Sequence, residues 1–315
     1  MTDVAIIGGG AAGLSAAIYA ARAGLSVCVA DAAGGGGQLW EIAEIENYFG
    51  IECATGGRIA ADAIKQAKAA GARLITAHVT EVRRVGLGFE VTCAEGGEER
   101  RFGARTLILA NGASPRRLGV AGETEFTGRG VSYCGLCDGR FFVGKRVAVV
   151  GGGNGALSEA LYLSRVAAVV HIICRGRALK GERAVLERLQ ALPAVVIHTN
   201  TRVHAIDGAD RVSALMLCEA GRETLQRLCV DGVFVAIGRE PQNGAFANLF
   251  PLDEKGYVMT DENCACARDG LFAAGDTRRT AVRQLITAAA DGACAAEAAR
   301  RYLLKRDFVP LGRIR

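Results

Sequence analysis

The stretch VAIIGGGAAGLSAAIYAARAGLSVCVAD, residues 4–31, decides the fold. It opens on a short apolar run, breaks at a glycine cluster and continues as LSAAIYAARAG with apolar residues at helical spacing. It closes on a second apolar run that ends in an acid, SVCVAD. Strand, glycine turn, helix and strand fit within the ~30 residues of a βαβ unit. Gly8, Gly10 and Gly13 supply G-x-G-x-x-G at the turn. The first glycine permits the tight bend, the second lets a pyrophosphate approach the backbone, and the third lets helix and strand pack closely. The helix N-terminus then faces the phosphates. Asp31 lies 23 residues past Gly8 at the strand end, where a carboxylate accepts from an adenosine ribose 2′-OH.

The pattern returns 143 residues later, counted from Gly8 to Gly151. KRVAVV (145–150) runs into GGGNGA, LSEALYLSRVA reads as a helix, and VVHIIC (169–174) as the second strand. Gly151, Gly153 and Ala156 give the G-x-G-x-x-A form. This second strand ends in Cys174 and Arg175 instead of an acid, and Arg177, Lys180 and Arg183 follow. A lost ribose carboxylate and gained cations suit a 2′-phosphate, which favours NADPH over NADH. The competing reading is a set of solvated charges at a helix N-terminus, where cations oppose the helix dipole.

The 315 residues exceed what one core organises, so two domains are expected. RLITAHVTEV, GFEVTCA, TLILANG, AVVIHTNTRVHAI, VSALMLC and LCVDGVFVAIG read as further strands, and residues 283–305 as a final helix. The expected fold class is α/β, with two Rossmann-like dinucleotide-binding domains, the second inserted in the first. Residues 1–113 and 245–315 form one, and 114–244 the other.

Composition narrows the function. The net charge of +5 is mild and spread out, and aromatics are only 6%, so nucleic acid is not an expected partner. No apolar run reaches ~20 residues, so no membrane span is expected. MTDVAIIGGG enters a strand almost at once, leaving no place for a signal peptide. Eleven cysteines without an export signal point to a reducing cytoplasm, where most remain thiols.

Two of those cysteines stand three positions apart in SYCGLCDGRFF, residues 132–142. Zinc would need a second close pair or clustered histidines, whereas His78, His171, His198 and His204 are scattered. Cys264 and Cys266 read as ordinary thiols near a turn. Cys134 and Cys137 are better read as a redox pair at a helix start, where backbone N–H groups and the dipole stabilise a thiolate. Asp138 directly follows and is placed to give or take the proton of thiol–disulfide exchange.

Together these motifs resemble the low-molecular-weight, bacterial-type thioredoxin reductases. GGGAAGLSAAIYAARAG, GGQL (36–39), IENYFG (45–50), the Cys134-Gly-Leu-Cys137-Asp138-Gly segment, GGGNGALSEALYLS, FVAIGREP (234–241) and the stretch from Gly270 to Ala293 occur in the family's order. The resemblance implies an FAD site formed with Gly36, Gly37, Gln38, Asn47, Val79 and Gly112. Gly275, Asp276, Arg283 and Gln284 complete that site. It implies a nicotinamide nucleotide site with Gly151, Gly153, Asn154, Arg175, Lys180 and Gly238. A hydride would pass from nicotinamide to flavin, and reduced flavin would reduce the Cys134–Cys137 disulfide. Cys137 would face the flavin, Cys134 would attack thioredoxin or a thioredoxin-like protein, and Asp138 would supply the proton. The family habit also implies a homodimer and joints near residues 113–117 and 242–246. The family segment HRRDxLRA is here CRGRALKG, residues 174–181, so Gly176 removes one phosphate-gripping guanidinium and leaves NADH open. A ferredoxin-fed reductase or a dithiol oxidase of the same fold is the alternative. The two cysteines speak against a disulfide-free ferredoxin–NADP reductase, and a nucleotide-binding sensor gives no reason for them.

Overall fold

The computed structural model describes residues 1–42, 45–221 and 224–307. Followed along the chain, β1 (Thr2–Ile7), α1 (Ala11–Arg22), β2 (Val27–Asp31), α2 (Gly56–Ala69) and β3 (Arg73–Thr76) lead into a meander of β4 (His78–Val85), β5 (Gly88–Glu95) and β6 (Glu98–Leu109). After β7 (Ala113–Pro115) come β8 (Val131–Ser132), α3 (Gly135–Asp138), β9 (Arg146–Val150), α4 (Asn154–Leu163), β10 (Val169–Ile173), α5 (Arg183–Gln190) and β11 (Val195–His198). A second meander, β12 (Thr201–Gly208), β13 (Val212–Glu219) and β14 (Leu225–Cys229), precedes β15 (Gly232–Val235) and β16 (Arg239–Pro241). The chain closes with β17 (Leu271–Ala273) and α6 (Leu285–Asp307).

Met1–Ser114 with Glu240–Arg315 form one compact unit, and Pro115–Arg239 the other. The sequence reading put the passages between them at 113/114 and 244/245. The return passage falls earlier because residues after Glu240 are already committed to the first unit. Asn243 is buried there and donates to the carbonyls of Gly256 and Thr277 at 2.9 and 3.1 Å. Phe246 packs in the same core.

In the first unit the strands run β3-β2-β1-β6-β5-β4, with β17 also paired to β6. The β1, β2, β3, β6 and β17 pairings are parallel, and the β4–β5–β6 pairings antiparallel. Both faces of this sheet are covered, which is why β1 reads as a continuous apolar run. Val4 and Ile6 face a core shared with α1 and α6, while Ala5 and Ile7 face a second core with Phe246, Phe250 and Val258. Alanine and glycine let α6 approach α1: a Cβ at Gly292 would lie within 2.1 Å of the Ala12 carbonyl oxygen.

The second unit repeats the plan with a five-stranded parallel sheet, β11-β10-β9-β15-β8, and the separate β12-β13-β14 meander. Val147 and Val149 pack against α4, and Ala148 and Val150 pack on the meander side. In the first unit the meander follows β3 and its last strand, β6, joins the parallel part of the sheet; in the second the meander follows β11 and precedes β15. Among the described residues no helix is long and apolar enough to cross a membrane.

RLITAHVTEV is two strands broken at Ala77, not one. TLILANG is only the end of β6, whose polar first half, from Glu98, pairs with β5.

Candidate active site

Cys134 and Cys137 form a disulfide, their Cα atoms 5.3 Å apart. Cys134 is the N-cap of α3, and its sulfur accepts from the Cys137 N–H at 3.2 Å. The helix is a single turn, so what steadies a thiolate here is this one backbone donor and not the dipole of a long helix. It acts on Cys134, which makes Cys134 the sulfur better able to carry negative charge. Both cysteines are half-buried, open enough for a partner thiol to reach.

Asp138 ends the same turn. Its Oδ2 accepts from the Ser132 hydroxyl at 2.7 Å. Burial pushes its carboxyl above the ordinary value, and the Ser132 hydrogen bond only partly offsets this. An acid whose hold on its proton is strengthened by burial beside a disulfide is better suited to protonate the departing sulfur.

Ser132 was not legible as part of the site, and neither was Glu123. Glu123 is almost fully buried, and its carboxylate accepts from the N–H groups of Leu118 and Gly119, each at 2.8 Å, and from the Tyr133 hydroxyl at 3.0 Å. It anchors the residue next to Cys134.

The first glycine fingerprint fits a dinucleotide. Gly8 has φ +98°, and a Cβ at Gly13 would collide with the Gly8 carbonyl oxygen, so both positions demand glycine. A Cβ at Gly10 would meet nothing within 4 Å, and α1 has neither a side-chain cap nor an acid in its first turn. Backbone donors facing open space are what a pyrophosphate satisfies. Asp31 stands at the strand end as read, but its carboxylate is engaged by the loop itself. It accepts from Gly9 N–H at 2.7 Å and from Ala33 and Gly35 N–H at 2.9 Å. These three bonds leave about one of the ~four acceptor positions of the carboxylate for a ribose hydroxyl.

Other residues assigned to this site fall around it. Gln38 donates to the Ala113 carbonyl at 2.9 Å beside Gly112, and Asn47 donates to Gln284 at 3.1 Å. Gly36, Gly37, Gly112 and Gly275 all take positive φ. Asp276 lies in a single 3-10 turn, Gly275–Thr277. The Arg283 guanidinium lies 4.4 Å from the Tyr257 ring centroid, and its Nε is buried without a partner among the described residues. Val79 is buried in the core, in β4 opposite Cys93 of β5. Arg278 and Asp291, unnoticed in the sequence, form a two-pronged ion pair at 2.7 and 2.9 Å, and Asp291 also accepts from the Gly275 N–H.

At the second fingerprint, Cβ atoms on Gly153 and Gly155 would likewise meet open space, and α4 has no side-chain cap. Arg175 and Lys180 are exposed. The loop they occupy folds back on the fingerprint: Lys180 N–H donates to the Gly152 carbonyl at 2.6 Å, and Asn154 Oδ1 accepts from Glu182 N–H at 2.9 Å. The Asn154 side-chain carbonyl oxygen thus helps to hold the loop. Gly238, at φ +108°, accepts from the Arg116 N–H at 2.9 Å. Both fingerprints fit the phosphates of a dinucleotide. Among the described residues no cluster of His, Cys, Asp or Glu converges as a metal site.

Two dinucleotide cradles and a half-buried disulfide with a neighbouring acid define an oxidoreductase that works through a cysteine pair. Residues 2–292 match the pyridine nucleotide-disulphide oxidoreductase family, to which the chain belongs. Among its relatives is a thioredoxin reductase of Treponema pallidum (strain Nichols), 41% identical over 302 residues, covering 96% of this chain and 97% of that protein. The thioredoxin reductase of Bacillus subtilis (strain 168) is 36% identical over 304 residues, covering 96% and 94%. The crystal structure of thioredoxin reductase from Streptococcus pyogenes MGAS5005 superposes with a TM-score of 0.88 at 35% identity, covering 97% of this chain and 99% of that one. The resemblance read from the motifs holds.

Proposed function

We infer that this protein is a thioredoxin-disulfide reductase that passes electrons from NADPH through FAD and the Cys134–Cys137 pair to thioredoxin or a thioredoxin-like protein. The observation that carries the reading is the half-buried disulfide with Asp138 directly after Cys137 on the same single turn, α3. FAD belongs to the unit of Gly8, Gly10 and Gly13, and the nicotinamide nucleotide to the unit of Gly151 and Gly153. An FAD held at the Gly8, Gly10 and Gly13 turn would supply the two-electron redox chemistry between the nicotinamide and the disulfide.

The chain's own residues do the rest. The S–S bond breaks as two electrons arrive, and Asp138 gives its proton to one sulfur. The Cys137 N–H holds the other, Cys134, as the thiolate that attacks the disulfide of the partner protein. A mixed disulfide forms and is resolved by Cys137, which returns the pair to its oxidised state. The reading includes a cytoplasmic setting and a homodimer.

Anaerobic stopped-flow bleaching of the flavin by NADPH and by NADH tests the electron source. Arg175 and Lys180 predict tighter use of NADPH. A preference for NADH would mean that Gly176 has cost the loop its grip on the 2′-phosphate. Bleaching by neither would transfer the reading to a ferredoxin-fed reductase or a dithiol oxidase.

A further inference from the structure

Gly135, between the two cysteines, packs on a carboxylate from another helix. A Cβ at position 135 would stand 3.4 Å from Cβ and Cγ of Glu159 and 3.6 Å from its Cδ. Glu159 belongs to α4, and its carboxylate accepts from the Gly135 N–H. Its Oε2 is buried and has no hydrogen-bond partner among the described residues. Burial pushes the acid up to about 7, against the opposing pull of the Gly135 N–H and Arg239. An unpartnered buried oxygen is costly for a carboxylate and much less so for the neutral acid. Nothing in the disulfide chemistry above uses this group.

The charges around Glu159 are few. α3 carries Asp138, and α5 carries Arg183, Glu187 and Arg188, all exposed. Arg146 and His171 belong to strands under α4, but alternate with the residues that face it, so they lie on the far side of the sheet. Arg239 is the cation that acts on Glu159.

One turn of backbone therefore serves two acceptors. The Cys137 N–H points to the Cys134 sulfur and the Gly135 N–H to Glu159. We propose that Glu159 is a positioning residue of the dithiol centre, whose charge state sets how readily the Cys134 sulfur persists as a thiolate. This rests on Cys134–Cys137 being the redox pair. When the pair is reduced, two electrons break the S–S bond, one sulfur takes a proton, and Cys134 either stays a thiolate or takes a second proton from solvent. With Glu159 neutral the thiolate is favoured. With Glu159 ionised, a second negative charge beside the same turn favours the thiol.

The test uses the full-length protein, reduced with dithiothreitol, freed of reductant under argon and treated with iodoacetamide from about pH 5 to 9. The labelling rate of Cys134 is read by peptide mass spectrometry in wild type, Glu159→Gln and Glu159→Asp. Wild type is expected to show a second inflection besides that of the thiol. Glu159→Gln should lose it and label several-fold faster in the alkaline half of the range, and Glu159→Asp should restore it. Superimposed wild-type and Glu159→Gln profiles, on a pair that opens and recloses in dithiothreitol buffers of both, would overturn the role of Glu159 and leave the redox pair standing. A pair that dithiothreitol does not open would overturn both.

Discussion

Replacing Glu159 with glutamine should free the protein of a pH-dependent loss of stability. In the unfolded chain this carboxyl titrates near 4.5, and in the fold burial carries it to about 7. Between those values the native state binds more protons than the unfolded state, so stability falls as pH rises through the window. The loss is complete above the folded value. At ~1.4 kcal/mol per unit, the displacement amounts to roughly 3 kcal/mol. Glutamine keeps an acceptor for the Gly135 N–H and carries no charge at any pH. The variant should match wild type near pH 4.5 and exceed it near pH 8.5, by about 2–4 °C in melting temperature per kcal/mol. Calorimetric melts of both holoproteins across this range give the difference, in which all other titrating groups cancel. A difference that does not change with pH, or a variant less stable than wild type on the alkaline side, would refute the reasoning.

Asp138→Asn keeps the shape and the Ser132 contact but cannot donate its proton. Its turnover with thioredoxin should fall ~10²–10⁴-fold, with flavin retained and little change in melting temperature. Because burial raises the Asp138 carboxyl, wild-type activity should decline as pH rises through its folded value, and the variant should lack that limb. Filling the open space at the two glycine turns should separate the two cradles. Gly10→Leu should purify without flavin, whereas Gly153→Leu should hold flavin and raise the KM for NADPH, both read by absorbance and steady-state kinetics.

The two βαβ units were legible because their parallel strands are buried on both faces, which leaves unbroken apolar runs such as VAII and VAVV beside glycine clusters. The first half of β6 was not, because EERRFGAR lies in a meander largely open to solvent and carries no apolar signal. Asp31 was found by its position, but its contacts with Gly9, Ala33 and Gly35 were not, because they depend on how the loop turns back. Glu159 sits in SEALYL beside exposed Ser158 and reads as a solvent-facing helix residue; only the fold of α3 onto α4 buries it. Glu123 is hidden in the same way within GETEF. Cys264 and Cys266, read as ordinary thiols near a turn, are both pushed up to about 12 by burial, which disfavours the thiolate.

The central claim is that Cys134 and Cys137 open and close as a pair. The most direct measurement is peptide-resolved thiol labelling of the denatured protein, before and after anaerobic addition of one equivalent of NADPH. The account predicts nine labelled cysteines before reduction and labels appearing on Cys134 and Cys137 alone after it. A bleached flavin with Cys134 and Cys137 still unlabelled would contradict it.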